Sequence, residues 1–190
     1  KRVLVEGAQA CLLDVDFGLY PYCTSTTCTV GAICSGLGIP PHNIGMVNYV
    51  LKTYCTRVGN GPFPTELFNS VGVQIQDIGH EYGTTTGRKR RVGWLDIPMV
   101  KWSLMINGNK DGYAQLCITK LDVFDTFPEI KLAVKYFVNG NELNAFPASL
   151  EVLEKVEVEY EIFPGWMTDT TNIRKYDDLP ENAKLYLSRI

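Results

Sequence analysis

Four stretches of the chain hold residue types that bind anions or purines. The densest is Thr84-Thr85-Thr86-Gly87-Arg88-Lys89-Arg90-Arg91, with three hydroxyls, a glycine and four cations. Gly87 lets the backbone turn and come close to a ligand. Arg88 and Arg90 each present a planar fork that matches a carboxylate or a phosphate, and the threonine hydroxyls can bind the same anion. A solvated basic turn fits the same composition, and so does a nucleic-acid patch. The nucleic-acid reading rests on one short cluster in an acidic chain with no wider basic stripe.

The second stretch is Thr119-Lys120-Leu121-Asp122, directly after the apolar run from Ala114 to Ile118. At the C-terminal end of a strand such side chains reach the crevice where α/β proteins bind nucleotides. A carboxylate there can accept from guanine N1–H and from its exocyclic amine, a donor pair that adenine lacks. The Lys120 stem can lie against the base. This is the logic of the N-K-x-D motif, with Thr119 in place of Asn; an ordinary surface turn is the competing reading. The third stretch, Glu6-Gly7-Ala8-Gln9, follows an apolar run and offers an amide that can both donate to and accept from an oxo-purine, or act as a polar turn residue. The fourth, Tyr22-Cys23-Thr24-Ser25-Thr26-Thr27, clusters hydroxyls that suit a phosphate or a turn.

The sequence holds no G-x-x-x-x-G-K-[ST] phosphate loop. His42 and His80 have no metal-like spacing; His42 reads as a surface residue and His80 as a helix end. Asp14 and Asp16 read as loop-stabilising. The six cysteines (Cys11, Cys23, Cys28, Cys34, Cys55 and Cys117) include no C-x-x-C pair, which argues against structural zinc and for reduced, buried thiols.

These stretches need elements to hold them. Val3–Val5 reads as a short buried strand and 14–29 as a long loop. Residues 30–37 read as a helix closed by Gly36 and Gly38 and stopped by Pro40-Pro41. Residues 47–58 contain a strand, and Gly59-Asn60-Gly61-Pro62 breaks it. Residues 68–78 fit a helix ending at Gly79, and 83–93 a basic loop. Asp96 reads as the N-cap of a helix to Ile106, and 114–118 as a strand. Residues 130–138 and 156–162 alternate like antiparallel strands. Asn139-Gly140 makes a hairpin turn into residues 142–146, and Pro180 opens a last helix. Interleaved strands and helices define an α/β class.

Composition bounds the rest. The 190 residues are 45% apolar and 21% charged with a net charge of −3. That is ordinary globular usage, without general attraction to nucleic acid or an anionic membrane. No apolar run reaches the roughly 18 residues of a membrane span, and the start does not read as a signal peptide. The chain opens inside what reads as a strand, lacks an initiator Met and stops in what reads as a helix, so residues 1–190 are expected to be a single partial domain of a larger protein.

In order, Val5-Glu6-Gly7-Ala8-Gln9, residues 12–18, residues 20–25, residues 56–66 (Thr-Arg-Val-Gly-Asn-Gly-Pro-Phe-Pro-Thr-Glu), residues 85–96, Thr119-Lys120-Leu121-Asp122 and Pro164-Gly165-Trp166 resemble the adenylosuccinate synthetase family. The set is spread along almost the whole chain, from Val5 to Trp166. Gly-Arg-Lys-Arg-Arg and residues 39–45 resemble eukaryotic members. The resemblance implies part of that family's fold, a P-loop-NTPase-like mixed sheet with flanking helices and an antiparallel hairpin region, incomplete here. It implies GTP-dependent ligation of L-aspartate to IMP in AMP synthesis. The γ-phosphoryl group goes to the IMP 6-oxygen, and the aspartate amine then displaces the phosphate.

Carried over by position, the resemblance places Gln9 at the hypoxanthine 6-oxygen and Thr24 at the IMP 5′-phosphate. Val58 lines the nucleotide pocket through its backbone. Thr85 and Thr86 hold the aspartate carboxylates, and Arg88 bridges aspartate and the IMP ribose. Arg90 binds aspartate near the GTP phosphates, and Lys120, Leu121 and Asp122 hold the guanine. It also implies a cytoplasmic homodimer, with no nucleic-acid or membrane partner. The glycine-rich phosphate loop, the catalytic Asp and His, the Mg²⁺ ligands and an Arg reaching across the dimer are expected upstream of this chain, and a last guanine-contacting loop downstream. No catalytic residue and no metal ligand is expected within it, and the fragment alone is expected to be inactive. The competing function is a non-catalytic guanine-nucleotide-binding module.

Overall fold

The computed structural model describes residues 2–83, 87–108 and 114–190. They form two compact units, residues 1–50 with 99–117 and residues 51–98 with 118–190. The chain passes between the units three times, after Val50, after Pro98 and after Cys117.

The first unit contains α1 (Gly31–Leu37) and most of α3 (Ile97–Ile106). Gly38, left-handed at φ 65°, ends α1 as expected. Asn107 stitches the unit together. Its Oδ1 accepts from the Val30 N–H at the head of α1 (2.7 Å), its Nδ2 donates to the Ser103 carbonyl (2.8 Å), and its own carbonyl accepts from the Tyr49 hydroxyl (2.9 Å). Val3–Val5 is not a strand. A strand exists only through a pairing partner, and among the described residues nothing pairs with it; Val3 and Leu4 are exposed.

β1 (Val47–Lys52) pairs with β4 (Ala114–Thr119) as a two-stranded ribbon. The second unit is built on a five-stranded sheet of β2 (Tyr54–Arg57), β3 (Arg91–Asp96), β5 (Glu129–Val138), β6 (Asn141–Glu142) and β7 (Glu157–Pro164). β2 runs antiparallel to β3, and β3 parallel to β5 through Leu95↔Leu132 and Asp96↔Ala133. β7 covers the other edge of β5, antiparallel, with a bulge between Ala133 and Lys135. The sheet is therefore mixed, as expected. The sequence reading gave no strand at β3: the expected basic loop ends at Arg91, where β3 begins, and Asp96, read as a helix cap, closes that strand. The strand expected over 142–146 is only Asn141–Glu142.

Two helices and an aromatic core hold this sheet. Helix α2 (Ser70–Ile78) is capped by Asn69, whose Oδ1 accepts from the Gly72 N–H at 3.3 Å. Phe124 sits at the centre of the core, with ring centroids of Phe127, Trp94 and Tyr54 at 5.2, 5.8 and 5.9 Å. Helix α4 (Leu150–Leu153) is a single turn. Helix α5 (Glu181–Arg189) buries Ala183 and Tyr186 at i, i+3 spacing, and the Tyr186 hydroxyl donates to the Thr53 carbonyl at 2.8 Å. Asp96 closes β3 directly before α3, and its carboxylate accepts from the buried Tyr136 hydroxyl.

All six cysteines are free, yet only Cys55 is buried. The expected burial fails for the other five, which lie outside the sheet core.

Candidate functional site

The second unit carries a pocket of about 270 Å³ lined by residues 57–61, Gly83 and residues 88–91. The basic loop reaches it from a short stem. Tyr82 bridges Lys89, the Gly83 N–H donates to the Arg88 carbonyl at 2.8 Å, and the Gly87 N–H donates back to Gly83 at 2.8 Å. Gly87 is left-handed at φ 63°, the role expected of it. Arg88 is exposed and Arg90 half-buried. Thr85 and Thr86 lie outside the described residues.

The four cations of the cluster have different employments. Arg91 builds the opposite wall. Its Nε donates to Glu66 Oε1 (2.7 Å), its Nη2 to Glu66 Oε2, and its Nη1 to the carbonyls of Gly59 (3.0 Å) and Gly61 (2.9 Å). The Glu66 carboxylate beside it raises the guanidinium above its ordinary value. Gly61, at φ 106°, gives the loop a conformation that side chains rarely adopt. This wall presents Val58, whose side chain is exposed. Lys89 lies over the Tyr82 ring, 6.0 Å from its centroid.

Arg90 is held from below by Glu81, which sequence reasoning missed. The Glu81 side chain is 1% exposed and takes Arg90 Nη1 on Oε2 at 2.9 Å. Its Oε1 accepts from Lys52 Nζ at 2.7 Å and from the Tyr54 hydroxyl at 2.6 Å. Burial pushes this carboxyl up, but the hydrogen bonds from Lys52, Tyr54 and Arg90 outweigh it, and the group stays below the usual glutamate range. The Tyr54 hydroxyl is driven upward, by burial first and then by Glu81. The available signal was a lone carboxylate between a helix end and a dense basic run.

Lys120 and Asp122 come together where β4 ends. Lys120 is left-handed at φ 64°, an uncommon conformation for a side-chain-bearing residue. Thr53 holds this turn. Its N–H donates to the Thr119 carbonyl (3.0 Å) and its Oγ1 to the Lys120 carbonyl (2.9 Å). Lys120 Nζ donates to the Gly79 carbonyl at 3.1 Å. Leu121 and Asp122 begin a 3-10 turn over Leu121–Phe124, with Asp122 exposed. An exposed carboxylate beside an anchored lysine stem is free to accept two donors from one base edge.

Gln9 and Thr24 belong to the first unit. Gln9 is left-handed at φ 69°, and its Oε1 accepts from the Thr26 hydroxyl (3.2 Å) and the Cys28 thiol (3.3 Å). The Thr24 N–H donates to Leu13 at 2.7 Å. The loop they share is organised by Asp14, fully buried. Its carboxylate accepts from the N–H groups of Asp16 (2.9 Å), Phe17 (3.0 Å) and Cys28 (2.6 Å). Burial raises this carboxyl, and the backbone donors more than offset it, so it lies below the usual aspartate range. The pocket thus gathers Val58, Arg88 and Arg90; the strand end gathers Lys120, Leu121 and Asp122; the 9–28 loop holds Gln9 and Thr24. Among the described residues no group of three His, Cys, Asp or Glu side chains could hold a metal ion, and no helix is long and apolar enough to cross a membrane.

A mixed sheet with an arginine-walled pocket and a Lys-x-Asp strand end defines an α/β protein able to take an anion and a base edge. The family model for adenylosuccinate synthetase matches residues 1–190. The chain is 58% identical to the adenylosuccinate synthetase of Candida dubliniensis and 57% to adenylosuccinate synthetase 1 of Laccaria bicolor, in each case over all 190 residues. It is similar to the solved structure of fully ligated adenylosuccinate synthetase from Plasmodium falciparum, with a TM-score of 0.94 and 47% identity over the whole chain. The chain belongs to the adenylosuccinate synthetase family. It spans 44% of those two curated relatives and 45% of the Plasmodium chain.

Proposed function

We propose that the chain is the substrate-selecting part of a GTP-dependent ligase that joins L-aspartate to IMP. The observation that carries this is that one pocket gathers Val58, Arg88 and Arg90. Both reaction steps concentrate negative charge, on a transferring phosphoryl group and then on the displaced phosphate, so donors and cations serve them best. Arg88 and Arg90 take the aspartate carboxylates with Thr85 and Thr86. Arg88 also reaches the IMP ribose, and Arg90 lies toward the GTP phosphates. Val58 offers its backbone to the nucleotide. Gln9 faces the IMP 6-oxygen and Thr24 its 5′-phosphate. Asp122 accepts from the guanine edge while the stem of Lys120 and the turn at Leu121 pack on the base.

We assign the Mg²⁺ ligands, and the catalytic Asp and His, to other parts of the enzyme. The whole enzyme is a cytoplasmic homodimer in this reading. Its two units, joined by three chain crossings, belong to one larger domain.

The test is a chimera in which the matching segment of the Candida dubliniensis protein is replaced by this chain. Adenylosuccinate should form from IMP, aspartate and GTP. A folded chimera without that product would overturn the reading.

A further inference from the structure

We propose that Glu81 is the positioning residue for Arg90, a buried carboxylate that fixes the guanidinium at the pocket wall. This rests on the functional reading above for what Arg90 binds, but not for the positioning itself. A half-exposed arginine on a surface loop ordinarily samples many rotamers. Arg90 is instead tied twice to one residue. Its Nη1 donates to Glu81 Oε2 at 2.9 Å and its backbone N–H to the Glu81 carbonyl at 2.9 Å. Its own carbonyl accepts from Gln76 Nε2 at 2.8 Å.

Glu81 cannot move to follow Arg90. Its other oxygen is held by Lys52 from β1 and by Tyr54 from β2, and the carboxylate is walled in at 1% exposure. The Tyr54 hydroxyl fills the space where a side chain at Gly79 would go, 2.4 Å from the Cβ position. The Gly79 carbonyl in turn accepts from Lys120. One turn, residues 79–81, therefore anchors Arg90 on one side and Lys120 on the other.

The charged and titratable groups facing Glu81 are Lys52, Tyr54 and Arg90, with the Asp122 charge acting on Tyr54. Two cations against one buried carboxylate leave net positive charge at the pocket, while the carboxylate limits where Arg90 can carry it. Removing a charged hydrogen-bond partner from a buried site releases the other partner.

Arginine side-chain NMR of the ligand-free chimera, with this chain's sequence unaltered as the wild type, tests this. In the wild type the Arg90 Nη protons should be separately resolved, because the pair blocks rotation of the guanidinium. Glu81→Gln should speed that rotation roughly tenfold or more, as loss of a charge-assisted hydrogen bond implies. The backbone amides of Leu95 and Ile130 should stay in place. Should Glu81→Gln fail to fold, an acid titration of the wild type replaces it. The Arg90 signals should then persist through the ordinary glutamate range and average only as Glu81 itself protonates. Averaged Arg90 signals in the wild type, unchanged signals in Glu81→Gln, or signals indifferent to Glu81 protonation would each overturn the proposal. Positive NMR with an inactive chimera would leave the positioning intact and remove the assigned ligand.

Discussion

Adjacent side chains in this protein are anchored differently. Arg90 and Arg91 both line the pocket, but Arg90 is held through one guanidinium nitrogen by Glu81, whereas all three nitrogens of Arg91 are taken by Glu66 and the carbonyls of Gly59 and Gly61. The run of four cations was visible in the sequence, but this division was not, because Arg91 meets partners 25 to 32 positions away. The placement of Asp122 was legible, since its motif is contiguous and its exposure follows from the strand end. In the chimera, Asp122→Asn should lose about 2 kcal/mol of preference for GTP over ITP, the worth of one hydrogen bond to a charged group. Competition kinetics between the two nucleotides read this directly, and an unchanged ratio would remove Asp122 from guanine selection. Asp14 gives a pH prediction. Its folded value is depressed, so the stability it lends the 14–28 loop is present above the unfolded value of about 3.9 and is lost as pH falls through the lower folded value. The Phe17 and Cys28 amide shifts should titrate together with a midpoint below about 3.9; a midpoint at or above it would contradict this role.

At the scale of elements, the strand end and the turns after it do the positioning. Lys120 keeps its left-handed backbone because Thr53 binds the carbonyls on both sides of that peptide junction. Thr53→Val keeps the shape and removes one buried hydrogen bond, so it should cost about 1–2 kcal/mol in urea unfolding and loosen the Lys120 turn. A cost within a few tenths of a kcal/mol would show that the turn holds itself. The strands β1, β4, β5 and β7 and the helices α1, α2 and α5 were readable because periodicity and caps are local signals. β3 was missed because its first residue, Arg91, continues the basic run and Asp96 reads as a helix cap, and Val3–Val5 misled because apolar β-branched residues suggest a strand whether or not a partner exists. Glu81 meets Arg90, Tyr54 and Lys52 from 9, 27 and 29 positions away, which no local pattern reveals.

At the scale of the whole molecule, the family was legible because seven short motifs occur in one order, and the match extends over residues 1–190. In the proposed reading the chain, which spans 44% of the length of its relatives, carries substrate choice rather than bond making. Arg88 is where that claim is most exposed, since it is the residue asked to contact both aspartate and IMP. The decisive measurement is the aspartate dependence of adenylosuccinate formation by the chimera, with and without Arg88→Leu. The account predicts a loss in kcat/KM for aspartate of roughly 100-fold or more, with GTP saturation little changed. A folded Arg88→Leu chimera with ordinary aspartate kinetics would contradict it.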